Sequence, residues 1–310
     1  MAIIYNKNRK KGLFYIPSGG LGPSVSAAFA YGKAAYNQAE ADPTPTITGT
    51  TGGSFNASAG LVFVDTGTFN SSTGQIDLSA STIDSHIITY TVDGVQSGQT
   101  VGITAAPYQS TRSFSFDGVN DYFDIGMKDF AATNGAISLW FNPSSDTNSQ
   151  SNKCIIGRNT SGKGNGDFAI NVYATGLGNS FAFFIENSTT TAVCKANSSN
   201  FPAGSWVHII VTWQDGVTDG LIMYVNGVAQ TVKDNGIALL AHPTKNISIA
   251  NSEPSASLNF AGNIDEVSLW DSALSSDAIT EIYNSGAPND LESLTNASSS
   301  NLVAWYKMGE

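Results

Sequence analysis

Between residues 108 and 310 the sequence is a succession of short apolar runs, each closed by Gly, Asn, Asp or Ser, a pattern that points to antiparallel sheet. RSFSFDG, DYFDIG, GAISLWFNP, KCIIGRN, DFAINVYAT, SFAFFIEN, TAVCKA, WVHIIVTWQ, GLIMYVNGVAQ, NISIANSE and FAGNIDEVSLW read as strands. Strands of this length and frequency predict two sheets packed face to face. All five tryptophans (Trp140, Trp206, Trp213, Trp270, Trp305) lie here, and each is expected in the core rather than against a ligand. Asn226-Gly227, between LIMYV and VAQTV, predicts a type I′ hairpin turn, since both central positions of that turn need positive φ. One segment has helical spacing instead, LSSDAITEIYNSGAP. Ser275 or Ser276 is its N-cap, Asp277 lies in its first turn, Ile279 and Ile282/Tyr283 share a face, and Gly286 and Pro288 stop it.

Two regions precede this one. Residues 46–107 predict a small all-β domain from TPTITG, GLVFVD, GQIDLSA, HIITYTVDG and GQTVGITA. The region has no Lys, Arg or Cys and one His, which suits a spacer better than a catalyst. Residues 1–45 read as an extended N-terminal arm. Lys7, Arg9, Lys10 and Lys11 hold four of the chain's fourteen basic residues, and a Gly/Pro/Ala stretch without helical or strand periodicity follows. A disordered terminus has this composition too. The aromatics Phe14, Tyr15, Phe29, Tyr31 and Tyr36 favour an arm docked inside an assembly.

Charge narrows the partners. A net charge of −11 argues against nucleic acid, which demands clustered Lys and Arg, and leaves some carboxylates for a hard cation. No run of eighteen apolar residues predicts a membrane helix. The first twenty residues place their basic cluster after a short apolar patch, so no secretory signal is expected. Cys154 and Cys194 fall in separate strands; buried free thiols are the expectation, with one bridge between neighbouring strands as the alternative.

Two resemblances follow from these residues. ITGTTGGSF and STGQIDLSASTIDSHIITYTV make residues 46–107 similar to bacterial and phage immunoglobulin-like repeats. Gly74, Ile76, Asp77, Tyr90 and Val92 match, and the usual Gly before the last strand is absent. Four ordered segments, FDGVNDYFDIG, ISLWFNP, WVHIIVTWQDG with LIMYVNGVAQ, and GNIDEVSLWDSALSSDAITEIYNSG, make residues 108–310 resemble the laminin-G-like, concanavalin-like jelly roll. The fold expected is therefore all-β: an arm, an Ig-like sandwich, then a jelly-roll sandwich. The second resemblance implies a structural calcium, for which Asp117, Asn120 and Asp121 are the candidate ligands and Asp265 a more distant one. The alternative is that Asp117 and Asn120 only shape a turn.

The same jelly roll hosts glycan-cleaving enzymes, so fold does not decide function. The active strand of those relatives reads Glu-x-Asp-x-x-Glu, and a retaining mechanism needs two carboxyls about 5 Å apart. The nearest match here runs from Asn263 to Ser268, with both outer carboxylates replaced, and simple alternation sends Glu266 to the face opposite Asp265. His86, His208 and His242 are isolated, and Gly162, Gly164 and Gly166 with Lys163 have neither the spacing nor the helix of a phosphate loop. A non-enzymatic binder is expected. Arm, spacer and lectin-like module together resemble phage decoration proteins and fibres. On that reading the arm contacts capsid or tail proteins, the terminal domain meets cell-surface polysaccharide, and a homo-oligomer stands on the virion surface. A bacterial cell-surface or secreted adhesin is the alternative, and an accessory domain of a polysaccharide-degrading system a third. NPSSDTNSQSNK, GRNTSGKGNGD and NSEPSAS are the candidate rim loops for sugar contact.

Overall fold

The computed structural model describes residues 24–127, 133–158, 166–174, 180–187, 189–196, 201–240, 245–252 and 258–309. The chain divides between Pro107 and Tyr108 into two compact units. Both are built from strands, and the one α-helix among the described residues has eight residues.

The first unit has seven strands: β1 (Phe29–Ala30), β2 (Ala35–Asn37), β3 (Thr46–Ile47), β4 (Ser54–Ala57), β5 (Asn70–Ser71), β6 (Asp84–Val92) and β7 (Val95–Thr104). Five of them form a sheet in the order β2-β7-β6-β4-β5, while β1 pairs with β3. HIITYTV alternates as a half-buried strand should, with His86, Ile88, Tyr90 and Val92 buried. GLVFVD and GQIDLSA, expected as strands, are instead irregular segments joined by a single bridge, Phe63 to Ile76. Local hydrogen bonding outcompetes the ladder there. Asp65 accepts from the backbone of Ser72 and Thr73, Asp77 from Ala80, and Gly60, Gly67 and Gly74 take positive φ. Leu61, Phe63, Ile76 and Leu78 still reach the core.

Residues 24–45 are built into this unit and do not stand apart as an arm. β2 pairs in parallel with β7, Tyr31 and Tyr36 are buried, and the Tyr31 hydroxyl donates to the Gly74 carbonyl. Burying such rings is worth about 1.5–3 kcal/mol each, which holds an otherwise unpatterned stretch in place. Lys7, Arg9, Lys10 and Lys11, with Phe14 and Tyr15, lie outside the described residues.

The second unit is a two-sheet sandwich. One sheet contains β8 (Phe114–Asp117), β10 (Asn134–Pro143), β15 (Val207–Gln214), β16 (Leu221–Val225), β17 (Val228–Ala229), β19 (Ala261–Trp270) and β20 (Leu302–Tyr306). Its order is β17-β16-β15-β10-β19-β20, and β8 also pairs with β19. The other contains β9 (Phe123–Asp124), β11 (Lys153–Arg158), β12 (Phe168–Ala174), β13 (Ser180–Glu186), β14 (Thr191–Lys195) and β18 (Ser248–Ile249), in the order β14-β13-β12-β11-β18-β9. Ile137, Leu139 and Phe141 of one sheet meet Phe181 and Phe183 of the other, with Phe141 stacked 5.4 Å from Phe181. LVAWY, not among the expected strands, pairs with the end of β19.

α1 (Ser276–Tyr283) lies on the outer face of the seven-stranded sheet. Ser275 is its N-cap, accepting from the Ala278 N–H, and left-handed Asn284 (φ 45°) ends it before Gly286 is reached. Ala278, Ile279 and Ile282 bury against Ala136, Ile210 and Trp270. This second layer explains why VHIIVTW is apolar throughout: β15 is covered on both faces.

The sheet order also decides the cysteines. Cys194 on β14 and Cys154 on β11 are three strand spacings apart, about 14 Å, too far to bridge. Cys194 faces the inter-sheet core and Cys154 packs with Ala169 and Phe184. Both are free and buried; burial pushes the Cys154 thiol up to about 12 and raises that of Cys194.

Candidate functional site: a tryptophan-lined groove on the outer sheet face

The site begins with an irregularity in β19. Ser138 of β10 pairs with Ser268 and Trp140 pairs with Asp265, so Glu266 and Val267 together oppose Leu139. This is a β-bulge, and Glu266 adopts the left-handed conformation (φ 53°) that such a bulge uses. The extra residue shifts the phase of the strand. Ile264 and Val267 both face the core, and Asp265 and Glu266 both leave it. The alternation expected from sequence, with the two carboxylates on opposite faces, is thereby overturned.

Both carboxylates are engaged. Glu266 accepts from the Tyr108 hydroxyl and the Trp305 indole N–H, each at 2.6 Å. Asp265 accepts from the Ser110 hydroxyl at 2.5 Å and from the Glu266 N–H at 2.8 Å. Two neighbouring acids thus tie residues 108–110, where the second unit begins, onto its sheet. Tyr108 and Trp305 pack with ring centroids 5.4 Å apart, and the Lys307 ammonium lies 4.0 Å over the Trp305 ring. Ser268, at the position of the missing outer acid, is fully buried and accepts from the Trp270 indole.

Beside this anchor is a groove of about 410 Å³, within the size range of small-ligand sites. Its floor is Asn263 and Asp265 of β19 and Trp140 of β10; the stretch Ser110–Ser113 forms one wall, and Trp206, Gly286 and Pro288 close the rest. Trp140, His208 and Tyr283 of α1 form a triad of near-parallel rings, with centroids 4.7 Å apart for Trp140 and His208 and 6.0 Å for Trp140 and Tyr283. Ser138 bonds to His208 Nε2 at 2.9 Å, and Asn226 Oδ1 accepts from the backbone N–H of His208. Asn226 and Gly227 both have positive φ, and Gly227 packs directly against Tyr283. Burial alone pulls the His208 imidazole down to about 3, so the ring is neutral.

Trp206 departs from the core role expected of every tryptophan. It is 41% exposed, whereas Trp213 and Trp270 are wholly buried. It stands just before β15, outside the covered part of the sheet, with its ring on the groove. No local spacing marks Trp206 as different from Trp213; the signal is its place before the strand begins. Arg112, at the wall, likewise had no sequence mark beyond its charge.

The four acidic or amide candidates for calcium do not form one group. Asp117, Asn120 and Asp121 share the turn after β8, where Asp117 Oδ1 accepts from the Val119 and Asn120 N–H groups and Asp121 Oδ2 from the Asp117 N–H. Asp117 pairs with Ala261, and Asp265 lies four residues further along β19, about 13 Å away. Among the described residues no three His, Cys, Asp or Glu side chains gather as a cation site would require. The segment is a turn closed by its own hydrogen bonds. Of the rim loops, 159–165 and 253–257 lie outside the described residues.

Two facing antiparallel sheets, a helix on the outer face and the Asn-Gly hairpin define a lectin-type jelly roll. Residues 117–280, just over half the chain, match the family model Laminin_G_3, and the chain belongs to that family, the concanavalin A-like lectin/glucanases superfamily. A candidate carbohydrate-binding protein of Bacteroides ovatus shares the fold with a TM-score of 0.56 at 14% identity, over 91% of this chain and 89% of that one. The adhesion G-protein coupled receptor V1 of Danio rerio is 24% identical over 168 residues, 52% of this chain; the chain spans 2% of that receptor's length. A heptameric SAP-like pentraxin of Limulus polyphemus aligns with a TM-score of 0.41 at 15% identity, over 62% of this chain and 89% of that one.

Proposed function

We propose that this chain is a non-enzymatic, displayed glycan-binding protein, and that the groove beside α1 is where the sugar sits. The observation that carries this is the half-exposed Trp206 at the edge of a polar groove. An indole face offers apolar surface to the C–H face of a sugar ring, while Asn263, Ser110 and Ser113 bring hydroxyl and amide partners for its hydroxyls. The absence of enzymatic activity is supported by the engagement of the acids. Asp265 alone among the lining residues carries a carboxylate, and Glu266 next to it already accepts two hydrogen bonds. A retaining glycosidase needs two carboxyls with one free to attack.

The wider setting we propose is the surface of a phage virion, as capsid decoration or fibre. The basic cluster Lys7, Arg9, Lys10 and Lys11 with the neighbouring aromatics supports attachment to capsid or tail proteins, and the first unit serves as spacer. A glycan array probed with the full chain, in calcium and in chelator, tests the binding reading. Binding that Trp206→Ala removes supports it, and an array blank in both conditions refutes it. Particles assembled with the chain lacking residues 1–23 test the setting: loss of incorporation supports it, and unchanged incorporation refutes the anchoring role.

A further inference from the structure

We infer that the groove selects glycans bearing a carboxylate, such as uronic-acid oligosaccharides, and that Arg112 is the residue that recognises the charge. The inference rests on the glycan-binding reading of the same groove and names its ligand class.

Three observations converge. Arg112 is the one cationic side chain among the lining residues. Among the described residues its side chain makes one hydrogen bond, a long one of 3.4 Å from Nη1 to the exposed Gly309 carbonyl, and no ion pair. Most of the guanidinium fork therefore remains available, and a fork of that shape matches a carboxylate bidentately. The groove's own acid is the second observation. Asp265 has a hydrogen bond on each oxygen, from Ser110 and from the Glu266 N–H, so its charge is shared inside the wall rather than presented bare to a ligand. Third, Arg112 lies on the wall formed by Ser110–Ser113, beyond β19, while Trp206 lies beyond β10. Arg112 and Trp206 therefore line one groove from opposite sides, with about three strand spacings between their backbones, so one glycan can meet both.

The net charge of the chain is −11. A chain this acidic repels polyanions in general, so attraction to an acidic glycan has to arise locally at the groove.

The test is calorimetric titration of the full chain with oligogalacturonate and with its methyl ester, the same sugar without the charge. The acid form should bind about tenfold or more tightly, the scale of one hydrogen-bonded charge pair. Arg112→Gln should remove that preference by weakening the acid and leaving the ester unchanged, and Arg112→Lys should restore part of it. Arg112 is exposed, so these variants fold, which circular dichroism verifies. Equal affinity for acid and ester, or an acid affinity unmoved by Arg112→Gln, overturns the inference while a Trp206-dependent interaction with the ester keeps the glycan-binding reading. Loss of every glycan signal from the native chain overturns both.

Discussion

His208 sits on β15 under α1, with the Trp140 and Tyr283 rings close beside it, the Ser138 hydroxyl on Nε2, and no acidic partner among the described residues to welcome a proton. Burial lowers its folded-state value to about 3, against about 6.5 in an unfolded chain. The unfolded chain therefore takes up the proton first as pH falls. The stabilising contribution is complete above about pH 6.5, declines by about 1.4 kcal/mol per pH unit below it, and is gone below about pH 3. Between about pH 7 and about pH 4.5 the loss is about 2.6 kcal/mol, and that figure hardly changes if the folded value is 4 rather than 3. All five tryptophans are in the second unit, so urea unfolding followed by indole fluorescence reports that unit alone. His208→Phe keeps an aromatic ring in the stack and removes the titration. The native chain should lose about 2.6 kcal/mol more than the variant between the two pH values. Parallel losses in the two proteins would refute the claim that a neutral, buried imidazole holds this layer together.

Glu266→Ala should lower the melting temperature clearly. It strips the acceptor from the Tyr108 hydroxyl and the Trp305 indole, at about 1–3 kcal/mol each, and an unchanged melting curve counts against the anchor described for β19. Trp213→Ala should cost about 3–5 kcal/mol in urea titration, whereas Trp206→Ala should leave stability within about 1 kcal/mol and remove glycan binding. Gly227→Ala should cost about 1–2 kcal/mol, because its φ of 76° is left-handed and the added carbon would come within 2.8 Å of Tyr283. Cys154 and Cys194 should resist maleimide in the native protein and react fully in urea; rapid native labelling of either by mass spectrometry contradicts their burial.

Much of the second unit is legible in its own sequence because the deciding interactions are local. VHIIVTWQ is a strand through its β-branched and aromatic run, Asn226-Gly227 is a hairpin because few other pairs accept two positive φ angles, and Ser275 caps α1 with its own hydroxyl. Where local and distant terms compete, the sequence misleads. GLVFVD has strand composition, yet glycines and side-chain-to-backbone hydrogen bonds fold it into turns, and residues 24–45 have no periodicity, yet Tyr31 and Tyr36 find a core.

The candidate site belongs almost wholly to the second category. The letters around Asp265 exclude the enzymatic triplet, and that much is determined by sequence alone. That Asp265 and Glu266 turn to the same side depends on a bulge set by pairing with β10 and by donors from residues 108, 110 and 305, up to 158 positions away. That Trp206 is available while Trp213 is not depends on the facing sheet: Trp213 packs on Phe183 in the core between the sheets, and Trp206 stands before β15 begins. Backbone preferences act over a few residues, so the sequence by itself determined the strands, the hairpin and the helix. Only the packing of distant segments decided which side chains would be left facing an open groove.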